Sequence, residues 1–328
     1  MLVFSTRGIH CPAADIYIDP SSPVTRAIIT HAHSDHARRG HTHYLAHRHS
    51  VPILKHRLGS DISVQGIEYG STVEHNGVRI SLHPTGHMIG SAQVRIEHRG
   101  QVWVASGDYK IENDGISQPF EQVSCTVFVT ESTFGLPVYR WNNQQEVYDE
   151  INAWWVENQR RGILSVLACY VLGKAQRILA HLNLSIGPIY AHESIAAATR
   201  VLREHGAPVP EPSGIPGSFS HSGAQGGILL VPPSITGTSW LSRFRPYSLG
   251  YASGWMIART ARQKPGINRG FVLSDHADWT GLNMAVQATG AQRILVMHGY
   301  SAAFSRWLRE HGYDASEADG RSNDKRAE

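Results

Sequence analysis

The sequence predicts an α/β protein. Three observations carry the prediction. Short apolar runs separated by turn signals fill the first third of the chain, strand-like runs alternate with helical ones from about residue 142, and the 328 residues are 41% hydrophobic and 17% charged. That composition supplies a full core for one large domain or two modest ones. In the first third, "EHNGVRISL" sets Asn76-Gly77 between strand-like segments, the signal for a type I′ hairpin. "AQVRIEHRGQVWVASGD" predicts a second hairpin turning at Arg99-Gly100. "WNNQQEVYDEINAWWVENQRRG" then places Val147, Ile151 and Trp154 at helical spacing, with Gly162 as the stop. After it, strands are predicted in "ILSVLA", "GPIYA", "GGILLVP" and "GFVLS", and helices in "KAQRILAHL", "ESIAAATRVLREHG" and "DWTGLNMAVQATG". The Pro-, Gly- and Ser-rich stretch 206–227 reads as a long loop, and the polar tail 314–328 as disordered.

Composition also narrows the function. A formal charge of +3 and a pI near 8.8 permit a polyanionic partner without demanding one. The segment "MLVFSTRGIHCP" lacks a basic stretch followed by a long apolar run, and no run of about 18 apolar residues occurs anywhere, so a cytoplasmic protein with no membrane partner is expected. Cys11, Cys125 and Cys169 are odd in number and widely spaced, which argues against a disulfide framework and against a thiolate zinc site. A metal, if held, is held by histidine and carboxylate.

"THAHSDH", residues 30–36, follows the apolar run "AIIT". His31 and His33 alternate and share one face of an extended segment, and the following turn brings Asp35 and His36 toward the same point. Imidazole nitrogen and carboxylate oxygen suit Zn²⁺ or, with more oxygen, Mn²⁺, and the arrangement fits two neighbouring ions. The alternative is a solvated histidine-rich loop, which is how His41, His43, His47 and His49 in "HTHYLAHRHS" read: mostly surface. Two metals need more donors than one loop supplies. His87 in "TGHMIGSA", Asp108 in "VASGDYK" and His298 in "RILVMHGY" stand at the ends of apolar runs and are the candidates.

These motifs carry a family resemblance. "THAHSDH", "TGHMIGSA" and "SGDY" resemble the second, third and fourth motifs of the metallo-β-lactamase superfamily, and Asp19 in "IYIDP" its first. "TESTFG" with Glu131, "LGKAQ" at 172–176, "YASGWM" at 251–256, "LSDHAD" with His276 and "MHGY" with His298 resemble its β-CASP nuclease branch. Within that branch the chain is most similar to the bacterial DNA-ligase-associated exonucleases, on its compact length and "GIHCPAADIYIDP".

The resemblance implies an αββα sandwich interrupted by an α/β β-CASP domain. The sandwich domain would span 1–134 and 266–313, the insert 135–265, with the tail at 314–328. It implies that His31, His33 and His87 hold one metal, that Asp35, His36 and His298 hold another, and that Asp108 bridges them. Asp19 would orient a ligand imidazole from behind. The catalytic set would be His276 as general acid, Glu131 orienting it, and Asp35; Lys174, Gln176, Ser253 and Gly254 would contact phosphate. Two divalent ions, Zn²⁺ ahead of Mn²⁺, can activate water and clamp phosphoryl oxygens. The implied activity is a metal-dependent DNA exonuclease linked to repair, with a DNA ligase and a helicase as partners. His298 fills a position that is commonly histidine in RNA-processing members of the branch, which keeps an RNA-processing ribonuclease as the alternative. A small-molecule metallo-hydrolase leaves Glu131, "LGKAQ" and His276 unexplained, and a non-catalytic nucleic-acid-binding module does not need a complete ligand set.

Overall fold

The computed structural model describes residues 1–215, 226–258 and 266–318. The chain divides into two compact units, the first formed by Met1–Arg140 with His276–Glu328, the second by Trp141–Asp275.

The first sheet runs in sequence order through β1 (Val3–Ser5), β2 (Gly8–Cys11), β3 (Ile16–Ile18), β4 (Arg26–Ile28), β5 (His43–His47) and β6 (Val64–Ile67). Helix α1 (Val51–Leu58) starts with Pro52 in its first turn and lies between β5 and β6 in sequence. β7 (Thr72–His75), β8 (Val78–Pro84), β9 (Ala92–His98), β10 (Gln101–Ala105) and β11 (Val127–Glu131) begin the second sheet. Both predicted hairpins are present: Asn76 and Gly77, then Arg99 and Gly100, all at positive φ, form the two-residue loops.

The second unit follows. Its elements are α2 (Gln144–Arg160), β12 (Leu164–Ala168), α3 (Lys174–His181), β13 (Ile189–Ala191), α4 (Glu193–Glu204), β14 (Ser213–Gly214), β15 (Ile228–Val231), α5 (Ser239–Ser242), β16 (Tyr247–Ala252) and β17 (Arg269–Phe271). All six strands are parallel, ordered β14-β13-β15-β12-β16-β17, and helices connect several of them, in keeping with the α/β alternation expected of this region. Leu164, Val166, Leu229, Val231 and Leu249 form a core with Phe244.

The chain then returns to the first unit with α6 (Trp279–Thr289), β18 (Arg293–Met297), α7 (Ser301–Glu310) and β19 (Asp314–Glu317). β18 and β19 complete the second sheet, whose order is β19-β18-β11-β10-β9-β8-β7. Ile9, Ile18 and Ile28 of the first sheet meet Ile80, Leu82, Val94 and Val129 of the second in one core. The other face of the second sheet, with Phe128, Ile294 and Val296, is covered by Leu282 and Val286 of α6 and Phe304 and Leu308 of α7. On the first sheet, Ile67 packs into the inter-sheet core while its neighbour Gly66 faces Val51 of α1, so α1 covers the outer face. The layers are therefore helix, sheet, sheet, helix. Among the described residues no helix is long and apolar enough to cross a membrane.

Four expectations change. The second unit begins at Trp141 and ends at Asp275 rather than at 135 and 265. Tyr139 stays with the first unit because its hydroxyl lies 2.8 Å from that of Tyr300 and its carbonyl accepts the Trp279 amide at 2.9 Å; at the other end, β17 pairs with β16. Asp314–Glu317, expected as disordered tail, is strand β19, paired in parallel with β18, with Ala315 packed into the helix-covered core; 319–328 lie outside the described residues. Within the predicted loop 206–227, Ser213–Gly214 form β14 at the sheet edge, and 216–225 lie outside the described residues. His41 and His47, expected at the surface, are buried, His47 by stacking on Tyr69 with ring centroids 3.4 Å apart.

Candidate metal centre

The loop after β4 turns at once, with the amides of His36 and Ala37 donating to the carbonyl of His33 at 3.3 and 2.8 Å. That turn gathers the histidines. Nε2 of His31 lies 3.1 Å from Nδ1 of His33, which lies 3.1 Å from Nε2 of His87. The ligand atoms of His31, His33, His87 and Asp108 all fall within 4.8 Å of one another. Asp108, just past the end of β10, aims Oδ2 at Nε2 of His31 (3.5 Å), His87 (3.9 Å) and His36 (3.4 Å). Beyond it, Nε2 of His36 is 3.6 Å from Oδ2 of Asp35, and the rings of His36 and His298 are 5.7 Å apart. The structure thus gathers His31, His33, His36 and His87 around Asp108, with Asp35 and His298 beside His36.

The backbone and the residues behind the loop hold this arrangement. Asp19 sits at φ +44°; its Oδ2 lies 2.7 Å from Nδ1 of His36 and accepts the Thr30 hydroxyl at 2.5 Å, while its Oδ1 accepts the Thr30 amide at 2.8 Å. A carboxylate on Nδ1 leaves Nε2 of His36 as the nitrogen facing Asp108. Thr30, which the sequence reading missed, also places its hydroxyl 3.1 Å from Nδ1 of His31. Gly107 sits at φ +56° against it, where a Cβ would come within 2.9 Å of the Thr30 Cβ. Ser132 is the second omission: its hydroxyl donates to the carbonyls of Met297 and His298, at 3.3 and 2.5 Å, fixing His298 in a left-handed conformation, φ +57°. Neither has a sequence signature beyond its place beside a motif.

The electrostatics suit a cation. Burial, with His36 and His87 close by, pushes His31 well below the ordinary histidine range, and burial with His36 lowers His298. Burial also opposes charge on His36, but Asp108 and Asp19 outweigh it and raise its pKa well above the usual value. Asp108 is buried, yet His36 and His276 outweigh the burial and hold its carboxyl well below the carboxylate range. The ring nitrogens of His31, His33 and His87 converge, 3.1 Å apart in successive pairs, beside the Asp108 carboxylate. This donor set fits a divalent metal with borderline ligands.

His276 and Glu131 form a neighbouring pair, Nδ1 to Oε2 at 3.0 Å, and with Asp108 their ligand atoms fall within 4.8 Å of one another. Lys174 and Gln176 correct an expectation. Both are completely buried and present no surface to a phosphate. Lys174 lies 3.5 Å from Asp275, and Gln176 donates to the Val171 carbonyl at 3.1 Å and the Thr199 hydroxyl at 2.9 Å, so both brace the second unit. Ser253 caps the short 3₁₀ turn Gly254–Ile257, accepting the Trp255 amide at 3.2 Å, and Gly254 is buried, so this pair too is engaged within the fold.

No family model matches the chain. It aligns with a protein named "Probable DNA ligase" from Opitutus terrae at 28% identity over 313 residues, which is 94% of this chain and 30% of that protein. Endoribonuclease YSH1 of Saccharomyces cerevisiae is 31% identical over 124 residues, 37% of this chain and 15% of that protein. Cleavage and polyadenylation specificity factor subunit 3 of Dictyostelium discoideum is 29% identical over 126 residues, again 37% of this chain and 16% of that protein. The chain thus spans less than a third of the length of each of these relatives. A crystal structure of a protein of unknown function from Enterococcus faecalis V583 matches with a TM-score of 0.56 at 12% identity, covering 83% of this chain and 74% of that one, a likeness of fold alone. The motif series, the layered fold and these relatives agree in supporting the β-CASP nuclease branch of the metallo-β-lactamase superfamily as the family of this chain.

Proposed function

We propose that the chain is a metal-dependent nuclease that hydrolyses phosphodiester bonds, with DNA as substrate and exonucleolytic action linked to repair. The observation that carries the reading is the position of Asp108 Oδ2, 3.4–3.9 Å from imidazole nitrogens of His31, His36 and His87. One carboxylate oxygen shared between two donor groups is what a two-ion centre requires. His31, His33 and His87 would hold one ion and Asp35, His36 and His298 the other, with Asp108 between them, Zn²⁺ ahead of Mn²⁺. Two such ions supply Lewis acidity at the phosphoryl group. Asp19 and Thr30 keep the imidazoles in the right tautomer and orientation. His276, with Nδ1 on Glu131, offers Nε2 as the proton donor to the departing oxygen. The first unit, with the donors and His276, is the reactive domain, and the second is the β-CASP insert.

DNA is favoured by the relative aligned over 94% of the chain, whose name is that of a ligase; most of that protein lies outside the alignment, which supports a ligase as a working partner, while a helicase partner rests on the family resemblance. The unpaired state of Cys11, Cys125 and Cys169 supports action in the cytoplasm. RNA processing is the second reading, favoured by the alignments with endoribonuclease YSH1 and by histidine at 298. Matched DNA and RNA strands, labelled separately at the 5′ and 3′ ends, decide between them in the presence of Zn²⁺ or Mn²⁺. Stepwise shortening of DNA from one end is expected. Cleavage of RNA alone transfers the assignment to the second reading. Inertness toward both, with turnover of a chromogenic lactam or a thioester, overturns the nuclease.

A further inference from the structure

The loop that carries His31, His33, Asp35 and His36 is irregular backbone leaving the end of a strand, so its precision has to come from contacts made to it. One reaches it from the outer helix layer. Arg57, in the last turn of α1, donates from Nη1 to the carbonyl oxygen of Ala32, the residue between His31 and His33. Ala32 is completely buried, so solvent has no access to that carbonyl. The Ala32–His33 peptide is a rigid plane, and anchoring its oxygen fixes the direction from which the His33 side chain departs. The guanidinium is half-buried; burial lowers its pKa, and the charge of Asp35 offsets part of that effect.

We propose that Arg57 is a positioning residue of the metal centre: its guanidinium clamps the Ala32 carbonyl to set His31 and His33. The inference rests on reading these residues as metal ligands. Arginine suits the task because its planar guanidinium carries several donors and a fixed charge, and a charged donor grips a carbonyl more strongly than a neutral one. Loss of a residue that orients metal ligands typically costs about 10–100-fold in metal affinity.

The test is Zn²⁺ affinity of the full chain, by chelator competition, for the wild type, Arg57→Ala, Arg57→Gln and Arg57→Lys, with the melting temperature of each metal-free protein. The alanine variant should bind Zn²⁺ about 10–100-fold more weakly. Lysine, which keeps a donor and the charge, should restore more than glutamine, which keeps a donor alone. Wild-type affinity in Arg57→Ala overturns the inference. So does an affinity loss that tracks the fall in metal-free melting temperature across the variants, since that marks mere support of the fold. If the alanine variant does not fold, lysine against glutamine decides, and equal affinity overturns it. Absence of Zn²⁺ binding by the wild type overturns the metal reading and this inference together, whereas tight wild-type binding unchanged in Arg57→Ala overturns this inference alone.

Discussion

Both carboxylate oxygens of Glu131 lie against Nδ1 of His276, at 3.1 and 3.0 Å. Glu131 is held in turn: the Tyr109 amide donates to Oε1 at 2.8 Å and the Thr133 amide to Oε2 at 3.4 Å. An acceptor on Nδ1 requires the proton there, which leaves Nε2 as the nitrogen that can gain or lose a proton during a reaction. His298, by contrast, stands at the end of β18 near His36.

Two histidines that look alike in sequence should therefore fail differently. His276→Ala should keep its metal and lower turnover by about 10²–10⁴-fold, the usual span for a positioned proton donor. His298→Ala should lose metal, because an imidazole leaves the coordination set. Elemental analysis beside turnover, with one substrate whose leaving group departs unprotonated, reads the difference. Rescue is expected for the first variant only, and metal loss in His276→Ala would reverse the roles.

Asp108→Ala should be the most damaging change among the donors. Its Oδ2 lies 3.5 Å from Nε2 of His31 and 3.4 Å from Nε2 of His36, so both ions should be lost together. Metal content near zero, with no recovery on added Zn²⁺, is the expected result; retention of two ions would contradict the bridge.

Gly299 follows His298 at φ +60°, and a Cβ there would come within 2.3 Å of the Ser132 carbonyl oxygen and 2.4 Å of the Thr133 Cα. Gly299→Ala should cost about 2–4 kcal/mol, combining left-handed strain with overpacking. Gly290, at φ +62° with nothing within 4 Å of its Cβ position, is the control. Gly290→Ala should cost only about 1 kcal/mol. Urea midpoints of the two variants check the contrast, and equal losses would mean that the approach to Ser132 is not tight in solution.

Burial, with His49 and Arg48 adding to it, pushes His47 from the ordinary histidine value down to about 3. The unfolded chain takes up this proton near pH 6.5, whereas the folded chain refuses it until about pH 3. Stability from neutral His47 is accordingly present in full above pH 6.5 and is lost as pH falls toward 3. His47→Phe keeps the ring on Tyr69 and removes the titration. Between pH 7 and pH 5 its urea midpoint should fall less than that of the wild type; equal falls would place the acid sensitivity elsewhere.

Much of this architecture could be read from the chain because the relevant signals are local. Asn76-Gly77 and Arg99-Gly100 announce hairpins through backbone freedom alone, and "THAHSDH" concentrates donors within a single turn. What could not be read depends on partners distant in sequence. "DASE" carries no strand pattern, and only pairing with β18 makes it β19. Lys174 and Gln176 look like exposed first-turn residues until Asp275, about a hundred positions on, and Thr199 enclose them. Arg57 and Ser132 act through backbone carbonyls, and a carbonyl leaves no mark in a sequence.

The return of the chain to its first unit has a consequence for synthesis. β11 lies between β10 and β18, yet 161 residues separate the end of β11 from the start of β18. Until β18 leaves the ribosome, β11 presents an open edge, and the outer face of its sheet still lacks α7. Closing so long a loop is entropically slow unless its middle has already condensed, and the second unit, with its own parallel sheet and core, can shorten the loop by folding first. His276 and His298 arrive with the last segments. A nascent chain therefore carries His31, His33, Asp35, His36, His87 and Asp108 well before it holds His276 and His298, and the cluster is complete only when the fold is closed.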